Sequence, residues 1–184
     1  MALTAEQLKR KSAQDAESAF EAVFQEHWRR IYTLLYNLVG EGDEAEDLAL
    51  ETFWRLYRLP PRLAQEESLG GWLYRVATNL GLNALRARKR RQRYEEQAGY
   101  ISTLELQGSL PGDPAEEVEQ VIERGRVRQT LAQMKPRSAQ LLVLRHSGFN
   151  YAEIAAALGV APASVGALLA RAEREFEARF KRLV

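Results

Sequence analysis

The sequence predicts an all-α chain of two small helical domains joined by a flexible linker, the C-terminal one ending in a helix-turn-helix. Three observations predict it. Apolar residues recur at helical spacing nearly throughout, no stretch alternates convincingly with period two, and the helical pattern breaks once. The break runs from Tyr94 to Pro114, where Gly99, Gly108, Pro111, Gly112 and Pro114 interrupt it and Ile101, Leu104, Leu106 and Leu110 keep no period. The expected organisation is therefore a first domain over 1–93, a linker over 94–114 and a second domain over 115–184. A chain of 184 residues suffices for two such units.

In the first domain, Phe20, Phe24, Ile31 and Leu35 share one face of a long helix, which Gly40 and Gly42 are expected to end. Ala45, Leu48, Ala49, Thr52, Phe53 and Leu56 form the buried stripe of a second helix, stopped by Pro60 and Pro61. Ser68 to Gly71 precede a third helix, running from about Trp72 through a basic block, with Leu73, Val76, Ala77, Leu80 and Ala84 on its buried side. In the second domain, Val118, Val121, Ile122 and Leu131 suggest one helix and Leu141, Leu142 and Leu144 another. Asn150 followed by Glu153 has the form of a capping box, opening a helix with Ile154, Ala155 and Leu158 that Gly159 closes. Pro162 then stands where a first helical residue belongs, before Val165, Leu168, Leu169 and Phe176.

Composition excludes several classes of function. No run approaches the roughly 20 apolar residues of a membrane helix, so no membrane partner is expected. The opening residues lack the basic flank and apolar run of a signal peptide, and there is no cysteine, which removes disulfides and thiolate chemistry. A cytoplasmic location is the expectation. The two histidines, His27 and His146, fall in different domains without ligand-type neighbours, and no phosphate loop or nucleophile elbow occurs. No enzyme activity, catalytic residue, metal or cofactor is expected.

The net charge of +1 conceals segregation. Asp43, Glu44, Glu46, Asp47 and Glu51 crowd one segment, and Arg86, Arg88, Lys89, Arg90, Arg91 and Arg93 another. On the second helix, Asp43, Asp47, Leu50 and Trp54 align opposite the buried stripe; a leucine and a tryptophan on an acidic face suit a protein interface. On the third helix, turned through about 100° per residue, Trp72, Arg75, Asn79, Asn83, Arg86 and Arg90 fall on one side. Guanidinium groups neutralise phosphate, amides bond base edges and a ring stacks on an unpaired base, so this stripe points to nucleic acid. The C-terminal helix pair has the bihelical form that reads DNA, but Gly166, Ala167 and Leu168 cannot make bidentate base contacts. Ser164, Arg171 and Arg174 are the polar side chains left there.

In this order the parts resemble the extracytoplasmic-function sigma factors of the sigma-70 family, from about Phe20 to Leu183. The segment from Glu44 to Phe53 is similar to the acidic helix that grips the clamp helices of the largest subunit of RNA polymerase. The segment from Gly71 to Leu80, continued by Asn83, Leu85 and Arg86, is similar to the promoter-melting, −10-reading helix. Tyr151 to Ala155, Leu158 to Val160, Ser164, Val165, Leu169, Arg171 and Ala172 are similar to the −35-recognition domain. Leu50 departs from the pattern, where Gln is common, as do Gly166 and Leu168, where Lys or Arg is common. The resemblance implies a sigma factor that directs transcription initiation. Its core-polymerase contacts would be Asp43, Asp47, Leu50, Glu51 and Trp54. Its −10 contacts would be Trp72, Arg75, Asn79, Asn83, Arg86, Arg88, Lys89 and Arg90, with weaker −35 contacts from Ser164, Arg171 and Arg174. The implied partners are core polymerase, through the clamp helices and the flap of the second-largest subunit, and promoter DNA, with an anti-sigma factor as a further partner class. Two rival readings stay open: a sigma-like decoy that occupies an anti-sigma factor, and a stand-alone helix-turn-helix regulator.

Overall fold

A computed structural model describes residues 5–58, 69–97 and 114–183. Among these the chain is all-helical: α1 Ala5–Val39, α2 Gly42–Tyr57, α3 Leu69–Gln97, α4 Pro114–Gln133, α5 Pro136–His146, α6 Tyr151–Leu158 and α7 Pro162–Phe180. No single described helix is long and apolar enough to cross a membrane. Pro60, Pro61 and Ser68 lie outside the described residues, as do residues 98–113 of the linker expected over 94–114; at the edges of that span the helices run further than expected, since Tyr94 to Gln97 continue α3 and Pro114 opens α4.

Helices α1 to α3 pack on one another around Ile31, Leu34, Leu35 and Leu38 of α1, Ala45, Ala49, Phe53 and Leu56 of α2, and Leu73 and Ala77 of α3. Gly40 ends α1, and its N–H donates to the carbonyl of Tyr36 at 2.8 Å. Gly42, expected to share in that stop, instead begins α2, whose first turn carries Asp43 and Glu44 against the positive end of the helix dipole. Two threonines inside this unit satisfy themselves: Thr52 Oγ1 donates to the Leu48 carbonyl at 2.8 Å, and Thr78 Oγ1 donates to that of Tyr74.

Helix α3 begins at Leu69, three residues before the position expected from the pattern, so Gly70 and Gly71 lie within its first turn. It also buries more than one side. Leu73 and Ala77 face the first unit as expected, whereas Val76, Leu80 and Ala84 are only half-buried. Tyr74, Leu82 and Leu85 are buried as well. Gly71 and Tyr74 lie on the side where α3 meets the C-terminal unit, at the α6 backbone and the Phe149 ring.

The C-terminal helices enclose a second group of apolar side chains, among them Leu131, Met134, Leu144, Phe149, Ile154, Val165 and Leu169. Their ends are chemically explicit. Asn150 Oδ1 accepts the Glu153 N–H at 3.0 Å, and Glu153 returns a carboxylate oxygen to the Asn150 N–H at 2.8 Å. Gly159 stops α6 at φ 62°, a left-handed conformation that glycine adopts without a Cβ penalty. Pro162 opens α7, and the two helices meet at 88°, which is the helix-turn-helix corner. Asn150→Ala is expected to lower stability by about 0.5–2 kcal/mol and Asn150→Gly by only a few tenths, measured by urea denaturation.

Candidate nucleic-acid and protein interfaces

The outward side of α2 carries the mixed face expected from its sequence. Asp43 and Asp47 are exposed, and Leu50 and Trp54 stand 48% and 53% exposed while the rest of the helix is anchored by its buried stripe. Glu51, half-buried, is held by Arg55 at 2.9 Å. The structure adds a residue that the sequence reasoning missed. Tyr57 is 66% exposed, stacks on Trp54 with ring centroids 5.8 Å apart, and leans edge-on against Phe20 at 5.6 Å. The signal was its i+3 spacing from Trp54. Behind them Phe24 packs on Phe53 at 4.7 Å and on Trp28 at 4.9 Å, so the exposed rings stand on a rigid aromatic footing. An apolar ledge rimmed by acids is what a protein partner with basic and aromatic groups recognises.

On α3 the six residues of the predicted stripe keep to one side, but their settings differ. Asn79, Asn83 and Arg90 are exposed, and Trp72, Arg75 and Arg86 are half-buried. Arg86 Nη1 donates to Asn83 Oδ1 at 3.3 Å, while its Nη2 is buried without a partner. Burial lowers the pKa of Arg86. Burial, then the neighbouring charges of Arg93 and Arg179, lowers that of Lys89. Cations arranged so closely favour an anion as neighbour. Arg88 is placed apart from this group: its guanidinium bonds the Glu44 carboxylate and the Val39 carbonyl, tying α3 to the α1–α2 corner. In the C-terminal unit, Ser164, Arg171 and Arg174 are all exposed on α7, and Gly166 faces the Tyr151 ring.

The two halves meet along α3. Gln140 Nε2 donates to Asn79 Oδ1 at 2.7 Å, the rings of Tyr74 and Phe149 meet edge to face at 4.4 Å, and Arg30 pairs with Glu153 at 3.0 Å. The Arg30 guanidinium also lies 3.9 Å from the centre of the Phe149 ring. His27 Nδ1 is 2.9 Å from the Tyr74 hydroxyl, and His146 is exposed on α5. Among the described residues no group of three or more His, Cys, Asp or Glu gathers as a metal site.

Comparison with known proteins agrees with this layout. Residues 23–91 match Sigma-70 region 2, and residues 124–176 match Sigma-70 region 4. The chain is 30% identical to the ECF RNA polymerase sigma factor SigG of Mycobacterium tuberculosis, over 96% of this chain and 53% of that protein. It is 26% identical to the ECF RNA polymerase sigma factor SigW of Bacillus subtilis, over 95% and 92%, and 29% identical to the RNA polymerase sigma factor CarQ of Myxococcus xanthus, over 88% and 87%. The chain thus spans about half the length of SigG. Its fold is shared with CnrH, solved in complex with the cytosolic domain of CnrY, at a TM-score of 0.55 and 18% identity over 94% of both chains.

The ion pair between the halves has a readable pH signature. The hydrogen bond from Arg30, and the Asn150 N–H beside it, hold the Glu153 carboxyl below its ordinary range. A lowered folded value contributes stability above the ordinary carboxylate pKa of the unfolded chain, and that stability is lost as pH falls through the folded value. Both side chains are partly solvated, at 40% and 36% exposure, so screening keeps the pair small. A double-mutant cycle of Arg30→Ala and Glu153→Ala is expected to give a coupling of about 0.2–1 kcal/mol at neutral pH that vanishes in acid, measured by denaturation.

Proposed function

Because this chain belongs to the sigma-70 family, with region 2 followed by region 4, we propose that it serves bacterial RNA polymerase as an extracytoplasmic-function sigma subunit. The observation that carries the proposal is the pairing, in one unit, of two unlike faces: an acidic aromatic ledge on α2 and a polar, cationic stripe on α3. A DNA reader acting alone has no use for the first. The −10 and −35 contacts remain divided between the two units.

In this reading Leu50, Trp54 and Tyr57 dock on the largest subunit, with Asp43, Asp47 and Glu51 setting register against its basic groups. Asn79 and Asn83 then bond base edges of the −10 element, Trp72 stacks on an unpaired base, and Arg86, Lys89 and Arg90 neutralise phosphate. Arg75 joins the same side. The C-terminal unit holds upstream DNA through Ser164, Arg171 and Arg174, and reaches the flap of the second-largest subunit. With Gly166 and Leu168 on α7, that hold depends more on phosphate and shape than on base contacts. The chain does no covalent chemistry and needs no cofactor: it selects a site and stabilises separated strands. Its place of action is the cytoplasm, beside the polymerase. An anti-sigma factor is a further partner class, supported by the fold shared with a sigma factor solved in complex with the anti-sigma factor NepR.

Two substitutions separate the steps. Trp54→Ala is expected to weaken core-polymerase binding by about 2 kcal/mol or more, read by equilibrium titration. Asn79→Ala is expected to leave that binding intact and to reduce open-complex formation by about 1–3 kcal/mol, read by permanganate reactivity of unpaired thymines on a promoter selected by the holoenzyme. Unchanged promoter opening in Asn79→Ala contradicts the role given to α3.

A further inference from the structure

A cationic cleft lies where α3, α4 and α7 come together. Arg86, Lys89, Arg90 and Arg93 line it from α3, and Arg179 lines it from α7. It consists of two adjoining hollows, of about 360 Å³ and 230 Å³, that share Lys89, Arg93 and Gln133. Among the described residues no carboxylate lines either hollow. The other polar side chains there are amides, Gln92 of α3 and Gln129 and Gln133 of α4, which can donate hydrogen bonds but carry no charge.

Elsewhere in the molecule basic side chains are matched to acids: Arg55 to Glu51, Arg88 to Glu44 and Lys181 to Glu177. In the cleft only Arg179 is so matched, braced by Glu175 at 3.2 Å within α7. Arg86, Lys89, Arg90 and Arg93 have no ion pair among the described residues. Burial lowers the pKa of Arg86, and burial followed by the charges of Arg93 and Arg179 lowers that of Lys89. Nη2 of Arg86 is also buried without a hydrogen-bond partner, and an unmet donor on a charged group costs more than one on a neutral group. An anion in the cleft relieves both conditions: it offsets the like charges and supplies acceptors for their donors.

Spacing selects the kind of anion. Arg86 and Arg93 are two turns apart, about 10 Å along α3, with Lys89 and Arg90 between them. A single tetrahedral anion reaches only part of such a row, whereas linked phosphates present charged oxygens along its length. Guanidinium forks with a lysine among them are the groups that hold phosphate. The larger hollow also has the volume of a small-molecule site, within roughly 300–1,000 Å³. A nucleic-acid strand following the polar stripe of α3 has no need of Gln129, Gln133 or Arg179, which line the cleft from α4 and α7.

We propose that the cleft between α3, α4 and α7 binds a compact polyphosphate, two or more linked phosphate groups, either free or carried on a nucleoside. The site goes beyond the sigma reading and does not rest on it, because its walls and its charges all belong to this chain.

The test is calorimetric titration of the full chain, at constant ionic strength, with inorganic tripolyphosphate, orthophosphate and magnesium-free ATP. Tripolyphosphate is expected to bind saturably at one per chain, and orthophosphate about 10-fold or more weakly. ATP weaker than tripolyphosphate marks a free phosphate chain as the ligand, and ATP equal or tighter marks a nucleoside-borne one; each supports the site. Arg179→Gln is expected to weaken tripolyphosphate binding about 5- to 10-fold. Arg93→Gln alters an exposed side chain with no hydrogen bond or ion pair among the described residues, and is expected to do the same from α3. It keeps the test valid should Arg179→Gln loosen α7 by freeing Glu175. Lys181→Gln removes the same charge two residues from Arg179 but outside the cleft, and is expected to leave the affinity unchanged. Absence of saturable tripolyphosphate binding overturns the proposal, as does an equal loss in Lys181→Gln, which reduces the effect to net charge. So does an Arg179→Gln chain that loses affinity for a mixed-sequence single-stranded oligonucleotide as much as for tripolyphosphate, since the cleft then belongs to a nucleic-acid surface. Core-polymerase binding is a separate measurement, so failure here leaves the sigma reading standing.

Discussion

Helix α3 has to bury apolar surface on two sides and keep a third side polar, and the rest of the molecule is arranged around that demand. Leu73 and Ala77 are buried as it packs on α1 and α2, while Gly71 and Tyr74 meet the C-terminal unit at the α6 backbone and the Phe149 ring. What remains is a strip carrying Trp72, Asn79, Asn83 and Arg90 between two packed shoulders. Packing against α1 and α2 sets the direction in which α3 presents its polar side chains. Such placement is what a surface needs to hold bases away from their partners, because groups placed in advance do not have to be ordered at the moment of binding.

The interface on α2 depends on the same packing at one remove. Phe53 and Trp28 pack on Phe24, Phe24 lies beside Phe20, and Phe20 meets edge-on Tyr57, whose ring stacks in turn on the exposed Trp54. The acids around them act at longer range. In the proposed sigma role they steer a basic partner toward the ledge and fix its register, while the rings supply most of the binding energy. The C-terminal unit is built differently, on caps and a corner, and presents mostly scattered polar groups along α7.

Much of this was legible in the sequence, and the reason is that it is local. The capping box at Asn150 and Glu153, the stop at Gly159, the proline that opens α7 and the exposed ledge of Leu50 and Trp54 all follow from spacing within a turn or three. What escaped was whatever depends on distant chain. Tyr74 reads as part of an ordinary helix because the Phe149 ring that it meets lies far along the sequence. Arg30 and Glu153 are 123 positions apart, and nothing near either residue announces the pair. Arg88 looked like one more member of a basic run until its bonds to Glu44 and Val39 set it at the α1–α2 corner. The start of α3 was misjudged for a related reason: two glycines in succession signal a loop, but here Gly71 serves the close approach of α6.

The measurement that bears most directly on the sigma assignment is a titration of the fluorescently labelled chain against bacterial core RNA polymerase, followed by size separation. The account predicts stable co-migration at one chain per core enzyme. A well-folded chain that fails to co-migrate even at micromolar core enzyme contradicts it, and leaves the α2 ledge to a partner of another kind.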